Sequence, residues 1–204
     1  MGSGRTAGTE RVPPSEDRRR ALDRLAAEIS SCRRCPLGAL RENAVVYRGS
    51  IRPRVVFVGE APGAEEDRTG VPFVGRSGRR LDDAIARLRP GLGTYGVLNV
   101  LKCRPPKNRF DPEAARTCRP FLERQLALLR PRRLVTLGAR ALRSIDPEAP
   151  PVLQCAGRPR AGPLGPFFPL VHPAALRSAR LQQRWDEDLR ALGRWLARPP
   201  LETL

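Results

Sequence analysis

The chain has 204 residues, enough for one domain with a hydrophobic core, and 40% of them are apolar, a share that can offset the entropy of ordering a backbone. No apolar run approaches the roughly 20 residues that cross a bilayer, which excludes a helical membrane protein. Lys and Arg number 38 against 21 Asp and Glu, a formal charge of +17 that points to a polyanionic partner such as nucleic acid. A genome favouring arginine codons explains arginine in place of lysine, since Lys102 and Lys107 are the only lysines, but not the excess of bases over acids. The stretch from Met1 to Arg20 is polar and lacks the apolar segment of a secretory signal, so a cytoplasmic protein is expected.

In chain order, residues 1–14 are rich in Gly, Ser, Thr and Pro, and a disordered tail is expected there. A first helix is predicted from near Ser15, a candidate N-cap, with Leu22, Leu25 and Ile29 on one face. Cys32 and Cys35 follow in an irregular stretch. The run Val55-Val56-Phe57-Val58, ending at Gly59, has the continuous apolarity of a buried parallel strand. Leu81, Ile85 and Leu88 have helical spacing between Ser77 and Leu88, and residues 97–101 form the next predicted strand.

Asp111 as N-cap, Pro112 at the first helical position and Glu113 in the first turn mark a clear helix start. Ala115, Cys118, Leu122, Leu126 and Leu129 then share a stripe, interrupted by Pro120, which predicts a kink or a break into two helices. A third strand at Leu134–Leu137, Gly138 and a short helix, and a fourth strand ending at Leu170-Val171 before His172 complete the alternation. A final amphipathic helix carries Trp185, Leu189, Leu192 and Leu196.

Strands alternating with helices predict an α/β fold: a three-layer α/β/α domain over residues 15–198 with a short, mainly parallel central sheet and a C-terminal tail at 199–204. Ligands in such folds bind beyond the carboxyl ends of the strands, where Glu60, Asn99 and His172 fall.

The five cysteines are odd in number in a chain with no sign of export, which favours metal or buried thiols over disulfides. Cys32-Arg-Arg-Cys35 has the spacing by which one turn grips one metal. Cys103 follows a strand, and Cys118 lies in the next helix; each alone is as compatible with a small core residue. Together the four suit zinc or an iron–sulfur cluster, and spacing does not separate the two. Cys155, before Gly157, is expected to be no ligand.

Several motifs occur in order: Gly59-Glu-Ala-Pro-Gly63, Glu65-Glu66-Asp67, Thr69-Gly-Val-Pro-Phe-Val-Gly-Arg-Ser-Gly78, Asn99-Val-Leu-Lys-Cys-Arg-Pro-Pro106, Asn108-Arg109 and His172-Pro-Ala-Ala175. This set, spanning about Cys32 to Arg177, resembles the family 4 uracil-DNA glycosylases, the iron–sulfur branch of that superfamily. The resemblance implies a [4Fe-4S] cluster on Cys32, Cys35, Cys103 and Cys118, and hydrolysis of the N-glycosidic bond of deoxyuridine in single- or double-stranded DNA by a monomer. It implies that Phe73 stacks on uracil and that Asn99, whose amide offers both a donor and an acceptor, pairs with its edge. Gly59 and Ala61 would line the pocket, and His172, the only histidine, would stabilise charge on the leaving base.

Ala61 stands where other branches carry an aspartate, so water handling is expected of Glu60, Glu66 or backbone groups. Arg104, Asn108, Arg109 and Arg177 are candidate DNA contacts. Leu176 stands near the position of the superfamily's inserted wedge, although Leu176-Arg177 follows Ala175 here where Leu-Leu-Arg is usual after His-Pro-Ala. Two rivals are a non-catalytic nucleic-acid-binding protein with a structural metal, which leaves Glu60, Phe73, Asn99 and His172 without a reason, and a related glycosylase for another damaged base.

Overall fold

The computed structural model describes residues 15–199; the expected tails fall outside them apart from Pro199. Helix α1 (Ser15–Ser31) opens the described residues and buries Leu25 and Ile29. After the short α2 (Leu37–Leu40), β1 (Arg48–Gly49) and β2 (Val55–Gly59) lead into α3 (Ala64–Thr69) and α4 (Arg76–Leu92). Strand β3 (Tyr95–Asn99), α5 (Pro112–Leu129), β4 (Arg133–Leu137), α6 (Ala139–Ile145), α7 (Val152–Cys155), β5 (Phe167–Leu170) and α8 (Ala179–Ala197) follow.

The five strands make one sheet in the order β1-β3-β2-β4-β5, parallel except for β1, which runs antiparallel to β3. Alternate residues of β2 serve different cores. Val55 and Phe57 pack with α4 and α8 through Leu81, Ile85, Trp185 and Leu189, whereas Val56 and Val58 pack with α5 and α6 through Leu122, Leu126 and Leu142. A strand buried on both faces must be apolar at every position, which is why β2 showed no alternation. The result is the three-layer α/β/α arrangement.

Two sequence expectations are corrected. Helix α5 runs unbroken through Pro120. The proline ring is exposed while Cys118, Phe121 and Leu122 are buried, so core packing outweighs a penalty of about 3 kcal/mol for the lost bond. Glu66, which from the sequence alone was expected in a loop, lies in helix α3. Asp111 caps α5 as expected, its carboxylate accepting the N–H groups of Glu113 (2.9 Å) and Ala114 (3.0 Å). Among the described residues no helix is long and apolar enough to cross a membrane.

Candidate functional site

The carboxyl ends of β2 and β3 and the segment after β5 open onto a cleft of about 810 Å³. Asn99 ends β3 on its floor, only 1% exposed, and its side-chain oxygen Oδ1 is buried without a hydrogen-bond partner. An unpaired buried acceptor costs about 1–3 kcal/mol, which a bound donor would restore. Phe73 lies beside it, 5% exposed, with its ring centroid 6.2 Å from that of His172.

Gly59 makes this proximity possible. A Cβ there would lie 2.4 Å from both Oδ1 of Asn99 and the Phe73 ring, closer than any real contact, so the last residue of β2 must lack a side chain. Phe73 itself adopts φ 59°, left-handed backbone that costs a non-glycine residue about 1 kcal/mol or more and is found where the surroundings over-determine it. Glu66 supplies that constraint. Its carboxylate accepts the N–H groups of Gly63 (3.0 Å), Val74 (3.0 Å) and Gly75 (2.8 Å), two of them directly following Phe73. With its lone pairs so engaged, Glu66 is the fastener of the Phe73 loop and has little capacity left to activate water.

Glu60 differs. It lines the same cleft half-buried, and its carboxylate takes no hydrogen bond from the described residues. Burial pushes its carboxyl up, opposed by the charge of Arg140, and a raised carboxyl suits a general base working near neutral pH. Ala61 is the neighbouring wall.

His172 follows β5 and begins the turn Pro173–Ala175. Its Nδ1 accepts the Ala174 N–H at 3.1 Å, which places the proton of the neutral ring on Nε2. Burial holds its imidazole below the ordinary value of 6.5, so the ring is neutral at physiological pH. The backbone turn is fixed from across the cleft by Arg80, whose Nη1 donates to the Pro173 carbonyl at 2.7 Å. On the other side, Gly138 at φ 91° lets β4 end directly against His172, whose Cβ would be 2.9 Å from an added side chain.

Of the other expected residues, Asn108 and Arg177 line the cleft as exposed groups. Arg104 stands behind Asn108, donating to its Oδ1 at 3.0 Å, and Arg109 is exposed beside it, outside the cleft lining. Leu176, the wedge candidate, lines the cleft with its side chain 5% exposed and packed in the core with Trp185 and Phe73. Sequence reasoning gave no role to Arg76, Ser77 and Arg80, which line the cleft from the first turns of α4. Arg76 and Ser77 lie within a motif already noted and Arg80 just beyond it, but only the packing of α4 against the His172 turn reveals their direction.

The four cysteines surround a second, smaller cavity. Cys32 and Cys35 approach it from the loop after α1, Cys103 from beyond β3 and Cys118 from α5, with Ile29 and Phe121 as apolar walls. Two cations face the sulfurs. Arg41 donates to Cys103 Sγ at 2.8 Å and to the carbonyls of Ser30 and Cys32, and Lys102, 1% exposed, donates to the backbone oxygen of Asn99. Burial brings Lys102 down to about 8, opposed by the thiols of Cys118 and Cys103, and pushes both of those thiols up. Four thiols with a guanidinium and a buried ammonium fit an anionic thiolate-bound metal group, whose binding would take the thiol protons. Among the described residues no three His, Cys, Asp or Glu are gathered closely enough to hold a single ion. Cys155 lies apart, buried in the α5–α6 core.

A family model described as the uracil DNA glycosylase superfamily matches residues 46–193, which include the entire cleft. The chain belongs to that superfamily. Within it, the chain is 39% identical over 178 residues to the type-4 uracil-DNA glycosylase of Pyrobaculum aerophilum, covering 82% of this chain and 91% of that one. It is 37% identical over 183 residues to the type-4 enzyme of Archaeoglobus fulgidus, covering 85% and 92%. The type-5 uracil-DNA glycosylase of Thermus thermophilus is 34% identical over 149 residues, covering 57% and 68%. Similarity to the type-4 glycosylases thus extends over a larger share of this superfamily member.

Proposed function

We propose that this uracil-DNA glycosylase releases uracil in the cleft between Asn99, Phe73 and His172. The observation that carries the reading is the buried, unpartnered Oδ1 of Asn99 beside the Phe73 ring. Uracil presents an N–H donor flanked by carbonyl acceptors. It satisfies Oδ1 and takes a bond from the amide nitrogen, whereas cytosine offers an acceptor and an amine in the wrong places. The base stacks on Phe73, with Gly59 and Ala61 closing the pocket.

When the bond between the sugar C1′ and uracil N1 breaks, its electron pair moves onto the base. His172, with Nδ1 occupied by the Ala174 N–H, holds Nε2–H towards the uracil carbonyl oxygen where charge develops, a contact stronger in the transition state than before it. Glu60 takes a proton from the water whose oxygen bonds to C1′, and uracil leaves as the anion and is protonated by solvent. Glu66 acts indirectly by holding Phe73. Arg177, Asn108 and the first turn of α4 take the flanking phosphates, with Arg104 and Arg109 behind them. The reading takes the protein as a monomer acting on single- or double-stranded DNA in the cytoplasm.

The four cysteines are inferred to hold a [4Fe-4S] cluster, which supplies a covalent tie between α1, the segment after β3, and α5. The gathering of four thiols around one cavity and the facing cations support it. Roughly four irons per chain and a thiolate-to-iron absorption band would support this reading, and zinc in their place would sink it.

The decisive assay incubates the purified protein with a uracil-containing oligonucleotide and then cuts abasic sites with alkali. His172→Ala lowers single-turnover cleavage by about 10²–10³ with DNA binding retained, and Asn99→Asp weakens the preference for uracil. An uncut strand with wild-type protein, or unchanged cleavage by His172→Ala, would remove the assignment.

A further inference from the structure

At the opposite end of the sheet, where the central strands β2 and β4 begin, five arginines converge on a concavity of about 470 Å³. Arg52 and Arg54 precede β2, Arg130 and Arg132 lie between α5 and β4, and Arg18 comes from α1. The length of β2 separates this end from the cleft by about 16 Å. Four of the guanidinium groups are exposed around the rim, while Arg18 is recessed, 7% exposed, with its Nε buried and unpartnered.

Among the described residues no carboxylate lines the concavity, and the acids that pair with Arg34, Arg48, Arg87 and Arg124 do so elsewhere. The charges that Arg18 feels most are Arg52 and Arg130, both repulsive. A buried cation among like charges is costly unless an anion joins it. Arg130 adds to that cost, since it caps α5 at φ 47°, a left-handed position that favours glycine.

We propose that this concavity binds an oligophosphate chain. Forked guanidinium donors match phosphate oxygens in pairs. Five of them call for several linked negative charges, and the volume lies in the range of ligand pockets, roughly 300–1,000 Å³. A slim phosphate chain reaches the recessed Arg18, which a flat surface would not. Two sources share this chemistry: a free oligophosphate, or the backbone of a nucleic-acid strand other than the one held in the cleft.

The test is calorimetric titration of the full chain with tripolyphosphate at physiological salt, followed by competition with a uracil-free oligonucleotide. Saturable one-to-one binding is expected. It weakens about tenfold or more in Arg52→Gln/Arg130→Gly, a pair chosen because glycine suits the backbone at 130. Arg18→Gln weakens it likewise with the fold checked by circular dichroism, whereas Arg158→Gln/Arg194→Gln, the same charge loss on the exposed surface elsewhere, leaves it unchanged. Absence of saturable binding, or equal weakening by both double variants, overturns the proposal. Displacement by the oligonucleotide assigns the phosphates to nucleic acid, and its failure assigns them to a free oligophosphate. Uracil excision by Arg52→Gln/Arg130→Gly stays within about twofold of wild type; a parallel loss would make the arginines part of the catalytic groove and overturn a separate site.

Discussion

The catalytic cleft and the cysteine cavity meet at one short segment, residues 99–103, and use it in opposite ways. At Asn99 the chain leaves a polar group unpaired in an open pocket. Within four residues, at Lys102 and Cys103, buried polar groups are engaged: Lys102 donates to the Asn99 backbone oxygen and Arg41 to the Cys103 sulfur. The first arrangement is costly to the free protein and, in the proposed reading, is relieved by substrate; the second holds the segment in place. Damage to the cleft should therefore lower rate with the fold intact, and damage to the cavity should lower stability first.

The largest effect is expected from Cys118→Ala. It removes a thiol facing buried Lys102 and, with it, the proposed cluster's tie between α5 and the segment after Asn99, and cooperative thermal unfolding should be lost together with iron content. A variant that unfolds like wild type but excises no uracil would make the cysteines part of the chemistry and erase the contrast. Next comes Gly59→Ala. The new methyl would displace Phe73 or Asn99, and misplacement of about 1 Å can cost 10²-fold in rate. Single-turnover cleavage should fall by about that factor while iron content stays constant.

A smaller effect, about 1–3 kcal/mol in stability, is expected for Glu66→Gln. The amide keeps the shape, but its nitrogen cannot accept one of the three backbone N–H groups that the carboxylate holds. If Glu66 positions Phe73, the loss appears in KM and in stability. A change in the pH–rate profile alone would instead make Glu66 the water-activating base and displace Glu60 from that role.

These residues differ in how far the sequence revealed them. The apolar run of β2, the Asp111 cap and the stripe of α8 were legible because each rests on local periodicity or backbone chemistry. Two-residue β1 has no periodicity to detect. The continuity of α5 through Pro120 depends on what packs beneath Phe121 and Leu122, and Leu176 turns inward through tertiary packing, which a loosely matching motif does not report. Asn99, Phe73 and His172 could be named from ordered motifs, but the division of labour proposed for Glu60 and Glu66 needed three backbone distances. The arginine concavity gathers residues 18, 52, 54, 130 and 132, too scattered to stand out in a chain with 38 basic residues.

The smallest effect expected is on pH dependence, and it separates the cleft from its surroundings at single-residue level. Burial lowers the imidazole of His172 in the folded protein. Between the folded value and the unfolded value of about 6.5, the unfolded chain therefore binds a proton that the native state does not. Stability contributed by the neutral ring is fully present above the unfolded value and is lost as pH falls through that window. Protonation would also end the acceptance of the Ala174 N–H by Nδ1, loosening the turn that Arg80 fixes from α4. The unfolding free energy of His172→Gln should accordingly decline less steeply than that of wild type as pH falls below about 6.5, measured by urea titration across the range. Because His172 is the chain's only histidine, no other imidazole can mimic the difference. Identical slopes would mean that the ring is freely protonated in the folded cleft, and the neutral Nε2–H donor would have to be replaced by an imidazolium.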